Sequence, residues 1–305
     1  MNLKANTNSK TLFSPGVRLM LIASVAFALM NVSVKKIGHI PVFEVILFRS
    51  LITLILSYAI LRKKKVRPWG THHSFLIARG VFGSVGLICY FYTLQHIELA
   101  NAIVIHYLSP IFTTLIALMF LKERVRTIQW IAFTVSFSGV IMVKGFANVE
   151  TLDFIIGVIG AVFSGLAYNA IRNMKGKEDA DVIVFYHPLI SLPIVGMYFV
   201  IFPQEMVMPQ NWDWLYLLGT GVFTQIGQIY ITRAYQMDTA ARISSVSYIG
   251  IFWGVMMGTF IFGDHYQLSV LFGMSIVLLG VFINLNDLKV RKLAGKIRTT
   301  FIWWN

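Results

Sequence analysis

Residues 107–124 read YLSPIFTTLIALMFLKER, and residues 248–265 read YIGIFWGVMMGTFIFGDH. Laid over one another at an offset of 141, Tyr107 meets Tyr248 and the acidic Glu123 meets Asp264. Just upstream, Leu99-Ala100-Asn101-Ala102 meets Ala240-Ala241-Arg242-Ile243. Both stretches are apolar and long enough to cross a bilayer, whose hydrocarbon core takes roughly 20 helical residues. A segment that recurs at the same place in each half of a chain marks an internal repeat. Chance likeness between two apolar helices is the alternative, and the matching acidic ends argue against it.

Working outward from these two stretches, ten apolar runs lie near 16–34, 41–61, 74–94, 100–121, 127–145, 154–171, 182–202, 212–234, 240–262 and 267–286. The composition agrees: 57% of the 305 residues are hydrophobic and only 13% are charged, about half the charged share of a soluble domain. Mean hydropathy is +0.71. The runs are continuous, whereas a transmembrane β-barrel would show alternating segments of about 10 residues. The expected fold is therefore all-α, a membrane bundle of ten helices. Its expected parts are a tail at 1–15, a five-helix half at 16–145, a second at 152–286, and a tail at 287–305. Basic residues precede the first run and Ala26-Phe27-Ala28 sits inside it. A signal-peptide cleavage site would follow the apolar region, so this run is read as a retained helix.

The net charge of +13 has an address. With the N-terminus in the cytoplasm, 21 of the 26 Lys and Arg fall on inner segments and only Lys35, Lys36 and Lys144 on outer ones. That bias is the positive-inside signature. It places both termini inside, at the inner membrane, and removes the motive for nucleic-acid binding, which needs basic charge gathered on one face. Each half holds five spans, and because five is odd the second half inserts upside down. Inverted repeats of this kind characterise secondary transporters, with substrate near the midplane between the halves.

The pattern resembles the drug/metabolite transporter superfamily, in its ten-helix EamA type. The resemblance rests on Ala78-Arg79-Gly80 through Tyr90-Phe91-Tyr92, on Leu99-Ala100-Asn101-Ala102, on Leu108-Ser109-Pro110, on Leu121-Lys122-Glu123 and on Phe48-Arg49. The second copy lacks the proline and carries Asp264 where Glu is usual. The resemblance implies a carrier of small metabolites working by alternating access. The Arg-Gly helix followed by Tyr-Phe-Tyr is similar to the branch that includes S-adenosylmethionine-type uptake carriers. An amino acid, an amine or an S-adenosylmethionine-like molecule is the cargo so implied.

Ionisable groups inside a bilayer cost on the order of 2.5–3.5 kcal/mol on insertion scales, so each is suspected of function. Glu44, near the start of span two, suits a proton or a cationic group, and a carboxylate in interfacial water is its plainer reading. Arg49, deeper in that span, suits a substrate carboxylate, or ties helices together through backbone carbonyls. Arg79 lies about six residues from the end of span three, close enough to snorkel to water. His106 and Tyr107 precede Pro110, which frees a backbone carbonyl about a turn earlier. Gln225 and Gln228 are spaced to share a face. With Tyr90, Tyr168, Tyr248 and Trp253 they make an aromatic and polar cage suited to a planar or cationic organic cargo. Hydrogen bonding between helices is the structural alternative for each polar member.

No phosphate-binding glycine loop and no HExxH helix is present in the sequence, so neither a metal nor a cofactor is expected. The single cysteine, Cys89, excludes an internal disulfide framework. Transport is expected to run on a proton gradient or on substrate exchange. The expected partners are a small-molecule substrate and membrane lipid. Two other classes remain open to the sequence: a membrane enzyme acting on lipid-linked substrates, and a receptor or scaffold that moves nothing.

Overall fold

The computed structural model describes residues 14–120, 127–146, 149–239, 243, 246–280 and 282–283. The expected tails lie almost wholly outside the described residues, as do Glu123, Arg242, Ser244 and Ser245. The described chain is helical: α1 (Pro15–Lys36), α2 (Val42–Lys64), α3 (His73–His96), α4 (Leu99–His106), α5 (Ser109–Phe120), α6 (Thr127–Phe146), α7 (Thr151–Asn173), α8 (Ala180–Ile201) and α9 (Asp213–Met237). Beyond them come α10 (Ile249–Met257), continued by a π-helical turn at Gly258–Phe262, and α11 (Leu268–Gly280). Among the described residues six stretches are long and apolar enough to cross a membrane, and α10, α11 and part of α6 form shorter apolar helices.

The fourth span, expected as one helix over 100–121, is two. Helix α4 stops at His106, Tyr107 and Leu108 form a turn, and α5 starts at Ser109. Pro110 is the second residue of α5, where a proline's missing N–H has no partner to lose. The ninth span breaks at the matching place, with Tyr248 non-helical between Ser247 and Ile249. The aligned tyrosines of the repeat therefore mark both breaks.

The packing is reciprocal. Helix α1 lies along α9 as α7 lies along α3, and α2 meets α9 as α8 meets α3. Close approaches between helices fix the correspondence, because membrane helices pack through small residues. A methyl group on Gly80 would lie 2.6 Å from the Ile190 side chain, and one on Gly221 would lie 2.6 Å from Ile52. Gly86 faces Ser164 Oγ at 2.7 Å as Gly227 faces the Phe27 ring at 2.7 Å. Gly139 faces Val277 and Gly280 faces Ser136. These pairs set α1 on α7 at an offset of 137, α2 on α8 at 138, and α3 on α9 at 141. The fold is a bundle of two inverted repeats.

Apolar side chains form two clusters at opposite ends of α1. One gathers Val34, Ile37, Ile40, Leu94 and Leu99, and the other Val17, Met20, Ile183, Phe185 and Ile231. Outward, Ile55, Val200, Phe260 and Leu268 are exposed, as lipid-facing residues must be. Near the Met20 end, Asp181 is buried and carries two cations, Lys64 from α2 and Arg233 from α9, the latter at 2.9 Å.

Candidate functional site

Between the two apolar clusters lies a cavity of about 90 Å³. Its walls come from corresponding positions of the two halves: Phe27 with Ser164, Asn31 with Tyr168, Arg49 with His187, Leu87 with Gln228, Tyr90 with Ile231, and His106 with Ser247. The cavity thus sits astride the pseudo-twofold axis. That is room for several water molecules and is well below the roughly 300–1,000 Å³ of sites that enclose a small organic ligand. A ligand of that size would need the walls to move apart.

Six of the expected site residues line this cavity: Arg49, Tyr90, His106, Tyr107, Tyr168 and Gln228. The other four do not. Glu44 is buried and accepts a hydrogen bond from the Val207 backbone N–H at 2.8 Å, tying α2 to the segment before α9. Gln225 accepts from Ser57 Oγ at 3.0 Å. Three residues advance a helix by about 300°, so Gln225 and Gln228 stand about 60° apart and serve different neighbours. Trp253 donates its indole N–H to Ser24 Oγ at 3.2 Å, a link between α10 and α1. Tyr248 lays its ring 5.5 Å from that of Tyr107.

Aromatic groups make much of the wall. Tyr90 and His106 stack with centroids 3.9 Å apart, and Tyr168 and Tyr235 stack at 4.9 Å. The Tyr107 hydroxyl rests against the Gly250 α-carbon, where a methyl group would lie 1.8 Å away. The two helix breaks therefore meet through Tyr107, Tyr248 and Gly250.

The charge is one-sided. Arg49, 1% exposed, donates its Nε–H to Thr224 Oγ1 at 3.1 Å and holds its guanidinium 6.0 Å from the Phe91 ring centre. Arg79 does not snorkel: it is 3% exposed and donates from Nη2 to Gln228 Oε1 at 2.9 Å. Gly83, one turn further along α3, supplies the notch that turns Arg79 inward. A methyl group there would lie 2.0 Å from Arg79 Nη1 and 3.0 Å from the His187 ring. Arg49 Nη1, Arg79 Nε, His106 Nδ1 and His187 Nε2 are buried with no hydrogen-bond partner. Among the described residues lining the cavity there is no Asp or Glu. Among the described residues no group of three or more His, Cys, Asp or Glu is placed to hold a metal ion.

The sequence reading missed Arg79 and His187 as cavity groups. A signal for His187 exists: under the offset of spans two and seven, Phe48-Arg49 falls on Tyr186-His187.

Comparison with known proteins settles the family. The model of the EamA-like transporter family matches residues 14–145 and again 152–286. The chain belongs to the EamA-like transporter family. This transporter is 33% identical over 254 residues to the pseudopaline exporter CntI of Pseudomonas aeruginosa, covering 81% of this chain and 87% of the relative. An uncharacterized transporter of Helicobacter pylori is 26% identical over 275 residues, covering 86% of this chain and 92% of its own. Solute carrier family 35 member G1 of Mus musculus is 29% identical over 253 residues, covering 75% and 67%. A chain of known crystal structure superposes with a TM-score of 0.71 over 91% of the transporter and 98% of its own length. At 16% identity that likeness is one of fold alone. The family and its named relatives point to a membrane transporter rather than an enzyme.

Proposed function

We propose that this transporter is a secondary carrier for a small organic metabolite bearing a carboxylate or a comparable anionic group, an amino-acid-like molecule being the simplest case. The observation that carries the reading is the pole formed by Arg49, Arg79 and His187 on a cavity whose described lining has no acidic residue. A buried cation left without a counter-ion is costly. Here the cargo's anion supplies the missing charge, and its carboxylate oxygens take the free Arg49 and Arg79 N–H groups. A cationic cargo had two grounds: Glu44, which lies outside the cavity and serves Val207, and the aromatic wall, which stays on the cavity and suits the cationic end of a zwitterion. The stacked Tyr90–His106 and Tyr168–Tyr235 pairs hold the organic body of the cargo.

The two halves, 16–145 and 152–286, set equivalent helices about the cavity, and the interleaved pairs α1–α9 and α3–α7 part to expose it to each side in turn, with the tails 1–15 and 287–305 in the cytoplasm. The bias of Lys and Arg toward one set of loops supports this orientation, and bacterial relatives support the inner membrane. That a relative is named an exporter of pseudopaline supports an organic cargo. Movement is driven by exchange or by a proton gradient.

Counterflow in proteoliposomes tests the reading, using labelled amino acids, dicarboxylates and amines with and without a pH gradient. The expected result is exchange of carboxylate-bearing compounds, lost on esterification of the carboxylate and lost in Arg79→Gln. Exchange of amines in preference to acids would overturn it.

A further inference from the structure

Two hydrogen bonds, one in each half, occupy equivalent positions at opposite ends of the bundle. Lys35, next to last in α1, donates from Nζ at 2.9 Å to the carbonyl of Ile97, the residue that ends α3. Arg172, next to last in α7, donates from Nη1 at 2.8 Å to the carbonyl of Asp238, the residue that ends α9. The offset of 137 that relates α1 to α7 carries Lys35 onto Arg172. The offset of 141 that relates α3 to α9 carries Ile97 onto Asp238. The glycine contacts fixed these offsets independently. One clasp has therefore been built twice.

The two clasps close different faces. Asp238 lies at the start of α1, where Ser14 Oγ donates to its carboxylate at 2.9 Å. Lys35 lies at the other end of that helix, 20 residues and about 30 Å away at 1.5 Å per residue. Each clasp joins the first helix of a half to the third helix of the same half, at the end where that half's chain enters its short fourth-span helix or the equivalent segment. Chemically the two are alike. A helix C-terminus presents carbonyls without intrahelical partners and the negative end of the dipole, and a cation there is stabilising. Release of either requires the basic side chain to exchange its carbonyl for water at the membrane surface. Both are engaged in this structure, whose cavity is too small for a metabolite.

We infer that Lys35 and Arg172 are paired positioning residues of the transport cycle, one holding each membrane face shut, and that opening to a face requires release of the clasp on that face. The surroundings of the two differ. Lys35 also feels the carboxylates of Asp264 and Glu98 and lies 5.7 Å from the Phe262 ring. Arg172 adds a second carbonyl, that of Tyr235, at 3.4 Å.

The test needs no cargo, so its outcome is independent of the anion reading. In the full chain, Cys89→Ser removes the single thiol and Ser164→Cys places one on the cavity wall. A membrane-impermeant maleimide is applied to oriented vesicles from either face, and the ratio of labelling from the two faces is read. Lys35→Met is expected to raise labelling from the Lys35 face by about threefold or more and to lower it from the other, the mark of a shifted population. Arg172→Met is expected to do the reverse, and Lys35→Arg and Arg172→Lys to restore the parent ratio. Lys35→Gln and Arg172→Gln serve where a methionine variant fails to reach the membrane. A role confined to stability would lower the melting temperature and leave the ratio unchanged. An unchanged ratio, or a shift to the same face in both variants, would overturn the inference.

Discussion

The notch at Gly83 invites the sharpest perturbation of the cavity. In Gly83→Ala the new methyl group would meet Arg79 Nη1 at 2.0 Å, so the guanidinium must retreat by about 1.4 Å to reach an ordinary 3.4 Å contact. Arg79 is the flexible partner, and the bond it makes to Gln228, 2.9 Å long, is the first to go. A hydrogen bond to a charged group is worth roughly 1.5–3 kcal/mol, and a cargo anion held by the displaced guanidinium loses a contact of the same kind. Affinity is expected to fall about 10- to 150-fold at 1.4 kcal/mol per factor of ten. The fold should survive, because alanine gains up to about 1 kcal/mol over glycine in a helix interior, offsetting part of an overpacking cost of about 1–3 kcal/mol. Gly196→Ala is the control, since a methyl group there has nothing within 4 Å. The assay is concentration-dependent counterflow of the cargo, with thermal unfolding in detergent alongside. A Gly83→Ala protein that binds cargo within twofold of the parent would refute the placement of Arg79 at the binding surface.

Gly250→Ala should abolish exchange by driving the Tyr107 hydroxyl off its seat at 1.8 Å, and Tyr107→Phe in the same chain should restore part of it; initial exchange rates compare the two. Glu44→Gln should lower the melting temperature, because the Val207 N–H loses a charged acceptor, while cargo affinity measured by counterflow stays at the parent value. Glu178 is pushed up by burial but more strongly down by hydrogen bonds from Thr71 and His72, so its carboxyl sits below the ordinary range. A depressed carboxyl stabilises fully above its unfolded value of about 4.3 and loses that contribution as pH falls through the folded value. Glu178→Gln should therefore cost on the order of 1 kcal/mol, the same at pH 7.5 and 8.5, with the deficit shrinking progressively in melts run below about pH 4.3.

Residue type and spacing carried the bundle, its ten runs and the repeat, because hydropathy over roughly 20 residues reports a whole helix and not any one contact. The match of Tyr107 with Tyr248 went further than expected and marks both helix breaks. Side-chain direction was less legible. Arg79 sits near enough to a helix end to reach water, and only a glycine one turn on, with Gln228 across on α9, turns it inward. Gln225 and Gln228 looked like one face until α2 supplied Ser57 to the first of them. Glu44 and Trp253 have polar partners from segments distant in sequence, Val207 and Ser24, and no local pattern names such partners.

The broken fourth span has a consequence for how far a movement inside the bundle must reach. Its two pieces hold 8 and, among the described residues, 12 residues, about 12 and 18 Å at helical rise. Every residue of α4 from Leu99 to Ile105 is buried, so a shift of that piece works against packed side chains and not against acyl chains. A whole helix that tilted would drag both of its ends through their neighbours. A piece that turns at Tyr107 leaves the packing around the other piece as it stands.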